Sequence, residues 1–116
     1  MLIDIENKIL ENKNDLIEGT FIYKLHEEAC FDEELFIGLI TDIDAYLDDV
    51  SENADLPTIS FWNFLEWFFF GVMQLIKSHY DHNDSYKIVN FDKDKWDTIY
   101  EPLLVKLLNK ALCFRR

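Results

Sequence analysis

With 116 residues, 49% of them hydrophobic and 16% aromatic, the chain is long enough for one domain that buries roughly two-thirds of its unfolded surface, and it is too apolar to be disordered. Its 23 acids against 11 lysines and arginines give a net charge of −12, which disfavours both phosphate contacts with nucleic acid and docking on anionic membranes. Only three glycines and two prolines are present, which argues against a turn-rich β-sandwich and for long regular elements.

At the start of the chain, Leu2, Ile5, Ile9, Leu16 and Ile17 recur with a helical rhythm that weakens at Asn12-Lys13-Asn14. No basic stretch followed by an apolar core opens the chain, so no secretory signal is read and a cytoplasmic location is expected. Gly19-Thr20 interrupts the rhythm, and Thr20 is placed to cap a short helix carrying Phe21, Ile22 and Leu25. Residues 3–30 read equally as one bent helix or as two.

Asp32 gives a strong start signal, an N-cap aspartate with Glu33 and Glu34 in the first turn. Leu35, Phe36, Leu39, Ile40, Ile43, Tyr46 and Leu47 then fall in one apolar sector of about 140°. Asp48 and Asp49 close this helix with the sign that opposes its dipole, where a lysine would stabilise by about 0.3–1 kcal/mol. From Val50 to Pro57 an acidic loop is expected.

Thr58 or Ser60 caps the next helix, which is expected to run to about Ser78. It is apolar almost all round, with Asn63, Glu66, Gln74 and Lys77 on one narrow stripe and Phe70 inside that stripe. Such a helix is central in a bundle or spans a membrane; the polar interruptions favour a central core helix with Trp62, Leu65, Phe68 and Phe69 buried. His79 to Asn90 reads as a polar connection. Asp92 caps the last helix, with Phe91 and Trp96 set as a hydrophobic staple, and Pro102 is expected to kink it while its apolar phase continues. The expectation is a single all-α domain over 1–116, a four- to five-helix bundle with a central aromatic helix.

The charge is not spread evenly. From Leu25 to Ile76 no lysine or arginine occurs in 52 residues, while 12 acids do; the remaining chain holds 11 acids and 11 bases. Surfaces usually mix both signs, so a one-signed stretch of this length suggests a field that steers a cationic partner. Crowded carboxylates also repel one another, so mild acidification is expected to ease the fold.

Signals for chemistry are weak. His79-x-x-His82, with Asp81 and Asp84 nearby, lacks the third ligand a zinc site needs, and a solvated loop is the simpler reading. Glu33/Glu34 and Asp48/Asp49 lie on an open helix face without the shelter that acid–base pairs require. His26 and Cys30 are four residues apart, but the acids around them disfavour a thiolate, and with Cys113 this thiol is read as reduced and packed. No phosphate loop, nucleophile elbow or dinucleotide fingerprint is present. An enzyme is not expected, nor a metal or other cofactor.

The stretch Asp15-Leu16-Ile17-Glu18-Gly19-Thr20-Phe21-Ile22-Tyr23-Lys24-Leu25-His26-Glu27-Glu28, followed by an acidic helix ending Asp42-Ile43-Asp44-Ala45-Tyr46-Leu47-Asp48-Asp49, resembles the front half of bacterial colicin-D-type immunity proteins. The resemblance covers about a third of the chain, and the aromatic helix from Phe61 to Phe70 lies outside it. Immunity proteins of contact-dependent inhibition systems, also small and acidic, fit equally well. The resemblance implies a helical, non-enzymatic protein that covers the basic active site of a toxin, a tRNA-cleaving one in the colicin-D case. The expected partner is therefore a basic toxin domain, without direct contact to nucleic acid or membrane. The acids expected to meet it are Asp42, Asp44, Asp48, Asp49, Glu52 and Asp55. A monomer is expected, with a dimer as its alternative. The rival reading is a small helical adaptor or regulatory subunit that binds a basic partner protein.

Overall fold

The computed structural model describes residues 2–13, 18–80 and 87–114, and within them the protein is all-α. The first rhythm forms α1 (Leu2–Leu10), closed by a 3-10 turn (Glu11–Lys13); Leu16 and Ile17 lie outside the described residues. The weak middle is where the chain leaves the helix. Asn12 is buried there, accepting from the Ile22 N–H through Oδ1 (3.3 Å) and donating through Nδ2 to the Ile9 carbonyl (3.5 Å). A buried amide thus satisfies an N–H that the first turn of the next helix leaves without an intrahelical partner.

That next helix, α2 (Phe21–Glu28), is capped by Thr20, whose Oγ1 accepts from the Tyr23 N–H at 3.1 Å. The choice between one helix and two is therefore settled as two. Ala29 ends α2 in the left-handed region at φ 47°, and the Cys30 N–H returns to the Lys24 carbonyl at 2.9 Å. Asp32 caps α3 (Glu33–Glu52) as expected, its Oδ1 accepting from the Leu35 N–H at 3.0 Å. α3 runs through Glu52, so the expected loop loses its first three residues to the helix.

α3 packs against α1 and α2, and its core face is Phe36, Leu39, Ile40, Ile43, Tyr46, Leu47 and Val50. Thr58, not Ser60, caps α4 (Ile59–Tyr80), accepting from the Phe61 N–H at 3.1 Å. α4 gives the core Phe61, Phe64, Leu65, Phe68, Val72 and Ile76. Burial of Leu65 and Phe68 agrees with the sequence reading, whereas Trp62 and Phe69 are only half-buried. The reason is geometric. The bundle covers α4 from one side, and these two residues fall about a quarter turn round from the buried seam. Phe70 is 65% exposed, as its place in the polar stripe suggests, and Trp67 is open as well.

After α4, Ile88 returns to the core and Val89 forms an isolated parallel bridge with Cys30. The Val89 N–H donates to the Ala29 carbonyl at 2.7 Å and the Phe31 N–H to the Val89 carbonyl at 2.9 Å. Asp92 then caps α5 (Lys93–Lys95), and the Phe91 and Trp96 rings meet at 6.0 Å in the expected staple. A π turn (Trp96–Tyr100) leads into α6 (Glu101–Leu112), which packs on α3. Pro102 sits in the first turn of α6, where its missing N–H is tolerated, and the widened turn before it takes up the mismatch. The apolar phase carries through, with Trp96, Tyr100, Leu104, Leu107 and Ala111 buried.

Phe31, between α2 and α3, is the hub of an aromatic cluster. Its ring lies 5.3–5.7 Å from Phe21, Phe36, Phe91 and Tyr100, and 6.3 Å from Trp96. Phe21 continues the cluster to Phe68 of α4 at 6.3 Å.

Candidate partner-binding surface

The acids expected to form one face are divided by the fold. Asp42, half-buried, meets Lys8 of α1 at 3.2 Å. Asp44 and Asp48, one turn apart on α3, both hold the Lys110 ammonium of α6, at 2.7 and 2.6 Å. Burial works against the charge on Lys110, but hydrogen bonds to Asp44 and Asp48 outweigh it and hold its pKa above the usual lysine value. Lys24 lies 3.7 Å from Asp32, and Lys95 lies 3.4 Å from Glu33, which also accepts from the Tyr100 hydroxyl. Bases from outside the one-signed stretch thus return to pair with it, which removes the expected crowding at Asp42, Asp44 and Asp48.

Asp49, Glu52 and Asp55 are different. No lysine or arginine lies within ion-pair distance of them among the described residues. They sit at the corner where α3 ends and the chain turns into α4. The last turn of α3 carries no base, so its carbonyls are met by acids. The turn that follows is well defined. The Asn53 Nδ2 donates to the Asp49 carbonyl at 2.7 Å, the Asp55 N–H donates to the Val50 carbonyl at 3.0 Å, and Ala54 takes φ 51°. Asp55 Oδ1 accepts from the Leu56 N–H at 2.8 Å. Leu56 and Ile59 then point into solvent, 67% and 79% exposed, while Pro57 between them is buried.

Below the corner, three segments meet at one carboxylate. Glu6 Oε1 accepts from the Tyr46 hydroxyl at 2.9 Å and from the Thr58 hydroxyl at 2.7 Å. Tyr46 in turn accepts from the Thr58 N–H at 3.2 Å. Burial is the chief reason that the Tyr46 phenol is held above its ordinary pKa; the Thr58 N–H opposes this and Glu6 adds to it. The sequence reading did not pick out Glu6 or this network, because its members are 12 to 52 residues apart.

The other candidates for chemistry become structural parts. His79 Nδ1 accepts from the Ile88 N–H at 2.9 Å, and its ring lies 5.0 Å from Phe91. Burial first, and then the Lys87 charge, lower its pKa from 6.5. His82, Asp81 and Asp84 lie outside the described residues, and among the described residues no group of three His, Cys, Asp or Glu could hold a metal. The His26 ring packs near Trp67 at 5.9 Å, and Cys30 Sγ accepts from Asn90 Nδ2 at 3.6 Å. Cys113 is exposed rather than packed, since it falls just beyond the last turn of α6. Glu34 is exposed, and Glu33 is engaged by Lys95 and Tyr100.

A second open surface runs along α4, where Asn63, Glu66, Trp67, Phe70 and Gln74 face solvent. The segment Ile59–His79 is also long and apolar enough to cross a membrane. Comparison with protein-family models, with curated proteins and with solved structures finds no match for the chain. The likeness to immunity proteins thus rests on the residues quoted for it.

Proposed function

We propose that the protein is a cytoplasmic, non-enzymatic immunity protein, which binds a basic toxin domain and blocks its active site. The observation that supports this is the α3–α4 corner. Among the described residues, Asp49, Glu52 and Asp55 stand there without counter-ions, next to the open aliphatic side chains of Leu56 and Ile59. A nuclease holds its substrate with lysines and arginines, and a fixed row of carboxylates can occupy that cleft in place of phosphates. Charge mainly sets the rate of encounter, while dissociation is governed by anchors that fill pockets, a role that falls to Leu56 and Ile59. Asp42, Asp44 and Asp48 contribute less, because Lys8 and Lys110 already satisfy them. The adaptor reading draws instead on the open flank of α4.

The neighbouring reading frame provides the test. A basic toxin domain encoded there is expected to be bound and silenced by this chain. Asp49→Lys with Asp55→Lys should slow association at low salt while helical content and melting temperature hold, and Leu56→Ala should speed dissociation. A control pair, Asp4→Lys with Asp94→Lys, should bind like the parent. Equal binding by the corner and control variants would sink the acidic-corner proposal, and a toxin left active at saturation would sink the immunity reading.

A further inference from the structure

Among the described residues the outer flank of α4 faces solvent, and its chemistry differs from the rest of the surface. Between Asp55 and Asp81, Glu66 is the only acid and Lys77 the only lysine or arginine, so this flank takes no share in the net charge of −12. Asn63, Glu66, Trp67, Phe70, Gln74 and Lys77 fall within a sector about 100° wide and about 21 Å long. A shallow concavity of about 640 Å³ lies along it, with Phe70 and Gly71 in its lining. Gly71 borders the concavity and leaves it open there, since a Cβ on it would meet nothing within 4 Å.

We infer that α4 pairs with α4 of a second copy of this chain, antiparallel about a twofold axis near Phe70 and Gly71. A twofold contact must be self-complementary, and this seam is. In that register the two Phe70 rings meet at the axis, about 1.5 Å apart along the helix. Trp67 lies level with the partner's Gln74. Glu66 and Lys77 are on the same edge of the seam, and in an antiparallel pair like edges meet. Their positions across the axis differ by about 3 Å along the helix, within reach of two long side chains, so each dimer gains two ion pairs. Ile59 falls beyond the paired seam, which leaves the α3–α4 corner free. The contact buries on the order of 1,000 Å², at the lower limit for a specific interface, so the dimer is weak and reversible. Repulsion between the two acidic bodies acts in the same direction, and at about 0.15 M salt it is screened beyond about 8 Å.

Sedimentation equilibrium of the full chain, from about 5 to 500 μM at that salt concentration, tests this. A reversible monomer–dimer equilibrium is expected. Glu66→Lys and Lys77→Glu should each weaken it by about tenfold, because both ion pairs become like-charge contacts. The double variant, with the charges exchanged, should restore it. Phe70→Asp should leave a monomer with unchanged circular dichroism, since the ring is 65% exposed. A chain that stays monomeric throughout the range overturns the inference. So does a dimer that ignores the charge exchange and Phe70→Asp. Binding of the wild type, but not Phe70→Ser, to phosphatidylcholine vesicles would assign the flank to lipid and overturn it as well. None of these outcomes bears on toxin binding at the corner.

Discussion

Phe31 shows how much one side chain can do without a helix to carry it. It follows the left-handed turn at Ala29 and precedes the cap Asp32, so it enters the bundle where α2, α3 and the C-terminal helical segment converge. Phe31→Ala should destabilise by about 3–5 kcal/mol, as for other aromatic rings deleted from a core. Phe69→Ala should lose only about 1–2 kcal/mol, since that ring is partly open to water and borders the core rather than lying in it. Chemical denaturation of the two variants checks the order, and a larger loss at Phe69 would contradict the placement of α4. Phe31 was illegible in the sequence for a physical reason. Hydrophobic periodicity reports residues that share a helix face, and a lone apolar residue between two helices has no period.

At the scale of the element, what could be read was what is local. Four of the helix starts, at Thr20, Asp32, Thr58 and Asp92, bond within three residues of the cap, and each was visible as a side chain before an apolar rhythm. The path through Pro102 and the Phe91–Trp96 staple were equally local. The pairing of α3 was not. Lys110 lies 62 and 66 residues from the acids that it holds, and only the packing of α6 on α3 brings them together. The same limit applies to α4, whose buried seam was legible but not how far round the bundle would cover it. Lys110→Met isolates the clamp. Exposed ion pairs contribute little, so stability should fall by no more than about 1 kcal/mol, while association with a basic partner at low salt should quicken as Asp44 and Asp48 lose their counter-ion. An unchanged association rate would mean that Asp44 and Asp48 lie outside the contact.

For the molecule as a whole, acid is expected to act through His79. Its pKa is lowered from 6.5, so above that value the imidazole is neutral in both the folded and unfolded chain and the bond from the Ile88 N–H is intact. As pH falls below 6.5 the unfolded chain takes up the proton first, and this share of stability is lost through the lowered pKa of the fold. The melting temperature of the wild type should therefore fall more steeply than that of His79→Gln between about pH 7 and pH 5. Parallel curves would show that the imidazole is not linked to folding. The net charge and its concentration in one stretch were legible from the sequence, whereas the internal division between paired and unpaired acids was a property of the assembled bundle. The knot of Glu6, Tyr46 and Thr58 has a consequence for that division. It fixes the far end of the corner, while Asn53 and Asp55 fix the near end to the last turn of α3. The freedom of this segment is surrendered during folding, not on meeting a partner. The recognition proposed at the corner would therefore be preorganised: association would carry little entropic penalty for ordering it, and most of the contact energy would appear as affinity.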